Sequence, residues 1–82
     1  MTKSNVLYFG PLAGILGRTS DTMDDIGGLT VDELLQRLLI SDPLAHSLIT
    51  ASAVSVNLEY VDLSHILTDG DEVAIISPIS AG

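Results

Sequence analysis

One segment of this 82-residue chain limits what the rest can become. Val31, Leu34, Leu35 and Leu38 recur at i, i+3, i+4 and i+7, so on a helix they share one face. Thr30 stands just ahead of them and Glu33 lies three residues further on, the pairing of a capping box that starts a helix. Asp42-Pro43 disfavours helix through that point, so the helix is expected to end near Ile40. A chain this short builds one core. A single long helix must bury its apolar stripe against some other element, and the rest of the sequence offers strands. One main helix on one face of a mixed sheet is an α+β layout.

The strand signals are short and well punctuated. Val6-Leu7-Tyr8-Phe9 is an apolar run closed by Gly10-Pro11 and reads as the first strand. Pro11 suits a first helical turn, and Leu12, Ala13, Ile15 and Leu16 supply one or two turns that Gly17 stops. Ser20 to Ile26 is polar, as an edge strand would be, and Gly27-Gly28 is a turn. Leu44 to Ile49 reads as a further short turn of helix. Thr50 to Val56, rich in β-branched and small residues, reads as a strand. Asn57 to Tyr60 is expected as a turn, with Val61 opening a short strand beyond it. Leu63 to Leu67 is a compact connection, and Asp69-Gly70-Asp71 a strong turn signal. Glu72 to Ile76 is the final strand, apolar from Val73 onward, the pattern of a central strand covered on both faces. Pro78 ends the ladder. The expected division is therefore a domain over residues 1–76 and an extended tail over 77–82.

Charge narrows the partners. Eleven Asp and Glu face only Lys3, Arg18 and Arg37, a formal net charge of -8. Nucleic acids and anionic membrane surfaces attract proteins through Lys and Arg, so neither is expected here. A basic protein surface, or plain solubility, fits the charge better. Without cysteine, disulfides, thiolate metal sites and Cys nucleophiles are excluded. Met1 to Asn5 is polar and the following apolar stretch is broken by Gly10 and Pro11, so no signal peptide is expected. No apolar run approaches the ~20 residues that span a bilayer, and the expected compartment is the cytoplasm.

Most candidate chemistry resolves into ordinary structure. His46 and His65 are far apart and neither has a second ligand at i+4, so no metal site is expected. Asp69, Asp71 and Glu72 lack the spaced series of a calcium loop and read as turn chemistry. No Gly-x-Ser-x-Gly turn is present, and Gly10, Gly14 and Gly17 have neither the spacing nor the Lys of a phosphate loop. What remains is the end, Ser77-Pro78-Ile79-Ser80-Ala81-Gly82. It leaves directly from an apolar strand and carries no charged side chain. A slim uncharged peptide closing on glycine suits insertion into a narrow channel, because glycine leaves the carboxylate unhindered. A frayed terminus is the alternative, and the residues alone leave both readings open.

Four blocks of sequence, taken together, resemble one family. "LTDGDEVAIISPISAG", Leu67 to Gly82, is similar to the end of the small subunit of molybdopterin synthase, the MoaD type. "VNLEYVDL" (Val56 to Leu63), "VLYFGPLAGILGR" (Val6 to Arg18) and "GGLTVDELLQRL" (Gly27 to Leu38) resemble its other segments. The resemblance spans nearly the whole chain. It implies a ubiquitin-like β-grasp fold, with about five strands in a mixed sheet on one main helix and a protruding tail.

It also implies a role. A ubiquitin-activating-like adenylyltransferase of the MoeB type would use ATP to adenylate the carboxylate of Gly82. Sulfur transfer would then make a thiocarboxylate there. The tail, with Pro78, Ile79, Ser80 and Ala81, would enter the large subunit, of the MoaE type. There the sulfur would help build the dithiolene of molybdopterin. The resemblance further implies no cofactor on this chain, a heterotetramer of two small and two large subunits, and a partner-binding apolar patch. Carried over position by position, that patch includes Phe9, Tyr60 and Ile76; as ordinary packing these would be core, Ile76 above all. A ThiS-like or tRNA-thiolation sulfur carrier, a ubiquitin-like modifier and an inert interaction module are the alternatives. Two positions depart from the pattern: Ala81 replaces the penultimate glycine, and Ser77 the first of two prolines. Alanine at a positive φ would cost roughly 1–2 kcal/mol, and little in extended backbone.

Overall fold

The computed structural model describes residues 3–79. Five strands, β1 (Lys3–Phe9), β2 (Ser20–Asp24), β3 (Ala53–Val56), β4 (Glu59–Val61) and β5 (Glu72–Ile76), form one sheet in the order β2-β1-β5-β3-β4. β1 and β5 run parallel in the middle, and every other pairing is antiparallel. The main helix α2 (Val31–Ser41) lies on one face, with α1 (Pro11–Leu16) and α3 (His46–Ala51) beside it. This is the β-grasp arrangement that the resemblance implied.

The helix forms for the reasons visible in its sequence. Thr30 Oγ1 accepts the Glu33 amide at 3.1 Å, while Glu33 Oε1 accepts the Thr30 amide at 2.9 Å. Two of the four unpaired amides of the first turn are thereby satisfied, a cap worth about 1 kcal/mol. Val31, Leu34, Leu35 and Leu38 are all buried, against Val6, Tyr8, Val54, Val56, Val73 and Ile75 from alternate strand positions. The helix runs one residue past Ile40, to Ser41, with Asp42 as its cap.

Several expectations shift at their edges. The first strand begins at Lys3, because pairing with β2 extends it past its apolar part. Thr50 and Ala51 finish α3 instead of opening a strand, so β3 starts only at Ala53. Helix α3 packs among α1 and α2, and that packing overrides the β preference of Ile49 and Thr50. The turn after β3 is two residues, not four: Asn57 and Leu58, with φ of 51° and 71°. Tyr60 therefore sits inside β4, opposite Ser55. The final strand is central, as expected, but covered on one face only: Val73 and Ile75 are buried, whereas Ala74 and Ile76 are partly exposed.

The turn chemistry of the acidic residues is explicit. Asp69 Oδ1 accepts the Gly27 amide at 2.8 Å, Asp71 Oδ2 accepts the Thr68 amide at 2.8 Å, and Asp62 Oδ1 accepts the Ser64 amide at 2.9 Å. Gly27 is glycine for a steric reason, since a Cβ there would lie 2.9 Å from the Asp69 carboxyl carbon. Among the described residues no helix is long and apolar enough to cross a membrane.

Candidate functional site

The open face of the sheet gathers the apolar residues that the core does not use. Strand residues alternate between faces. With Val6, Tyr8, Val73, Ile75, Val54 and Val56 turned inward, Leu7, Phe9, Ala74, Ile76, Ala53 and Tyr60 share the outer face. Register sets them in two rows. Phe9, Ile76 and Ala53 lie opposite one another across three strands. Leu7, Ala74, Ser55 and Tyr60 form the next row. Phe9 is 48% exposed and Tyr60 75%, while Ile76 between its neighbours is half-buried. The next row, Asn5 and Glu72, is polar, so the apolar surface is confined to one end of the sheet.

That end is where β5 finishes. Ile76 is its last residue, and Ser77, Pro78 and Ile79 follow. Pro78 and Ile79 are exposed, Ile79 at 85%. Ser80, Ala81 and Gly82 lie outside the described residues, so the positions expected to carry the chemistry are not placed. Ser77, by contrast, is buried at 3% exposure and held in place. Its amide donates to the Phe9 carbonyl at 3.1 Å, and its hydroxyl donates to the same oxygen at 2.9 Å. The hydroxyl oxygen accepts the Leu12 amide at 3.0 Å. Nothing in the sequence signalled these contacts, which join residues 65 and 68 positions apart.

Two further networks brace the surroundings. Asn57, in the hairpin turn, donates from Nδ2 to Asp71 Oδ1 at 2.9 Å and accepts the Glu72 amide at 3.0 Å, tying the β3–β4 turn to the start of β5. Arg18 donates to Asp21 at 2.7 Å and to Asp42 at 3.1 Å, with its guanidinium 5.5 Å from the centre of the Tyr8 ring. Asp42 holds Arg18 firmly protonated, while Arg18 keeps the Asp42 carboxyl below its usual range. Burial, reinforced by the 2.7 Å bond that Tyr8 Oη donates to Asp21, pushes the Tyr8 phenol far up. Of the three basic side chains, Arg18 is thus occupied inside the fold.

His46 opens α3 and His65 lies in the connection before β5, on different segments. Among the described residues no group of three His, Cys, Asp or Glu side chains could hold a metal ion. A cavity of about 360 Å³ is a shallow polar hollow beside the β3–β4 turn, lined by Asn57, Glu59, His65 and Asp71 among others. It lies at the opposite end of β5 from Ile76. Among the described residues, the exposed apolar rows and the last residue of β5 thus lie together at one end of the sheet.

Comparison with known proteins gives the family and the fold. The sequence pattern of the ThiS family matches residues 6–82. The molybdopterin synthase sulfur carrier subunit of Chlamydomonas reinhardtii is 34% identical over 79 residues, covering 94% of this chain and 95% of that protein. Among solved structures, SAMP1 of Haloferax volcanii superposes with a TM-score of 0.81 at 26% identity, covering 98% of this chain and 99% of that one. Subunit 1 in the complex of subunits 1 and 2 of the molybdopterin-converting factor from Helicobacter pylori shares the fold, with a TM-score of 0.68 at 21% identity, covering 98% and 99%.

Proposed function

Because the chain belongs to the ThiS family, we propose that it is the sulfur-carrier subunit of a molybdopterin synthase, with Gly82 as the carrying residue. The observation that carries the reading is the position of the apolar rows. A docked partner covering Phe9, Ile76 and Tyr60 lies at the end of β5 from which the chain runs on to Gly82. The identity of 34% over nearly the full length of a named sulfur carrier supports the same role.

The chemistry follows from the weakness of a carboxylate as an electrophile. The Gly82 carboxylate attacks the α-phosphate of ATP on a MoeB-type adenylyltransferase, releasing pyrophosphate and forming an acyl-adenylate. A sulfur nucleophile then displaces AMP and leaves a thiocarboxylate. That sulfur becomes the nucleophile inside a MoaE-type large subunit, where two such transfers build the dithiolene of the pterin product. This chain contributes the sulfur and the docking face; the catalytic side chains belong to the large subunit. It needs no cofactor of its own, and ATP is consumed by the activating enzyme. Two small and two large subunits assemble as a heterotetramer in the cytoplasm. The terminal glycine is retained, and Ala81 adds one methyl group beside it.

The test is an intact mass after incubation with an adenylating enzyme, ATP and a sulfur donor. The expected product is heavier by the difference between sulfur and oxygen, and the gain disappears when Gly82 is deleted. Transfer that survives the deletion would overturn the assignment. The likeness to SAMP1, a small archaeal modifier protein, favours a second reading, attachment to other proteins as a modifier. Lysine-linked adducts in the same incubation would identify it. A ThiS-like donor for thiazole synthesis would be thiolated equally, and is told apart by failure to support pterin conversion with a large subunit.

A further inference from the structure

Ser77 stands where the family pattern has a proline, and the structure gives it a task that proline could not perform. A proline has no amide hydrogen, yet the Ser77 amide donates to the Phe9 carbonyl at 3.1 Å. The hydroxyl adds a second bond to the same oxygen at 2.9 Å and accepts the Leu12 amide at 3.0 Å. Leu12 belongs to the first turn of α1, whose amides have no partner within the helix. The residue preceding that helix is Gly10, which has no side chain to cap it. Ser77 therefore serves as the cap of α1 from across the fold.

The contact is tight on its other side as well. Gly10 sits at φ +78°, and a Cβ there would lie 2.7 Å from both the carbonyl oxygen and the hydroxyl oxygen of Ser77. Glycine at this position gives the strand end room to close against the turn. With an exposure of 3%, Ser77 is sealed from water, so a lost partner is not readily replaced by solvent.

We propose that Ser77 is a positioning residue: its amide and hydroxyl latch the end of β5 onto the β1–α1 turn. The latch sets the point and direction from which Pro78 and Ile79 depart. It also links two parts of the surface, because Phe9 supplies both the carbonyl that Ser77 grips and a side chain of the open apolar face. A partner resting on that face thus meets Pro78 and Ile79 at a fixed offset. The consequence for sulfur loading rests on the carrier reading above; the latch itself does not.

Two readouts separate these. The first is amide hydrogen exchange of Leu12 in the full chain. In the wild type this amide is expected to be protected; an unprotected Leu12 overturns the latch without any variant. Ser77→Ala should speed its exchange about tenfold, the loss of one buried hydrogen bond, and Ser77→Thr, which keeps the hydroxyl, should restore protection. The second is adenylation of Gly82 by an adenylating enzyme, with kcat and KM measured separately. A merely destabilised substrate is present at lower folded concentration, which raises KM and leaves kcat alone. A misdirected terminus lowers kcat at saturating chain, by about tenfold. Ser77→Ala with slower kcat supports the proposal. Wild-type kcat with a raised KM, or unchanged Leu12 exchange, overturns it. A wild-type chain that is never adenylated sinks the carrier reading, while Leu12 exchange still decides the latch.

Discussion

Arg18 reaches Asp42 Oδ2 at 3.1 Å, joining the loop after α1 to the C-terminal cap of α2 across 24 residues. The same guanidinium holds Asp21 at 2.7 Å and faces the Tyr8 ring. Three elements meet on one side chain. Its fork geometry, which lysine lacks, lets it serve both carboxylates at once. The participating side chains are about a quarter to a third exposed, so water screens the pairs. Replacing Arg18 with Met is expected to cost about 1 kcal/mol, and Arg18→Lys to recover only part of it. Urea unfolding with fluorescence or circular dichroism measures both; equal stability of the Lys variant and the wild type would show that the fork geometry is irrelevant.

The β3–β4 turn carries a residue in the wrong chemistry for its backbone. Leu58 has φ 71° and is 89% exposed, so it bears a left-handed backbone without any burial to offset it. The two-residue hairpin loop with positive φ at both positions prefers Asn-Gly, and Asn57 already supplies the first half. Leu58→Gly should raise stability by about 0.5–1 kcal/mol, strain relief less the added freedom of the unfolded chain. A Tm that falls would mean Leu58 makes contacts that its exposure does not suggest.

Stability should decline at both ends of the pH scale. The Thr30 amide holds the Glu33 carboxyl below its ordinary 4.5, the Arg18 guanidinium does the same for Asp42, and the Ser64 hydroxyl for Asp62. A carboxyl depressed in the folded state stabilises fully above its unfolded pKa, and that contribution is lost as pH falls through the folded value. The acid limb therefore begins below about pH 4.5. Tyr8 works in the other direction. Burial raises its phenol, so above its unfolded pKa of 10.0 the unfolded chain releases a proton that the folded chain keeps, and stability falls. Tyr8→Phe should flatten the alkaline limb alone. An alkaline limb of unchanged slope in that variant would assign it to another group.

Phe9 and Tyr60 should matter to partners far more than to folding. Both side chains stand on the uncovered face, so Phe9→Ala and Tyr60→Ala are expected to cost under about 1 kcal/mol of stability. Buried aromatic anchors at interfaces are commonly worth about 2 kcal/mol or more. Affinity for the large subunit, read by calorimetry, should accordingly drop at least about tenfold. Wild-type affinity in both variants would place the docking face elsewhere.

Much of this architecture is readable from the chain itself. The capping box at Thr30 and Glu33, the period of the stripe from Val31 to Leu38, the stop at Gly17 and the bond from the Thr68 amide to Asp71 are set by neighbours three or four residues apart. Such contacts form the same way wherever the segment finds itself, so composition and period suffice. The apolar character of Val73 to Ile76 was equally plain, but the number of covered faces was not. A strand that is apolar throughout can be buried on both sides, or can offer one side to a partner. Only the absence of a helix over Ala74 and Ile76 distinguishes the two.

What tertiary structure alone decided is which distant residues share a surface or a bond. Phe9 and Ile76 became neighbours through parallel pairing, Tyr60 entered the same face because the preceding turn is two residues long, and Thr50 joined a helix because packing outweighed its β preference. The grip of Ser77 on Phe9 and Leu12 belongs to the same class. A serine after a strand has many possible partners in sequence, and the one it takes depends on where the fold brings the first helix, 65 positions earlier in the chain. Local chemistry sets the elements, since their energies are short-ranged; the site arises where the folded chain closes on itself, and no short window of sequence contains that.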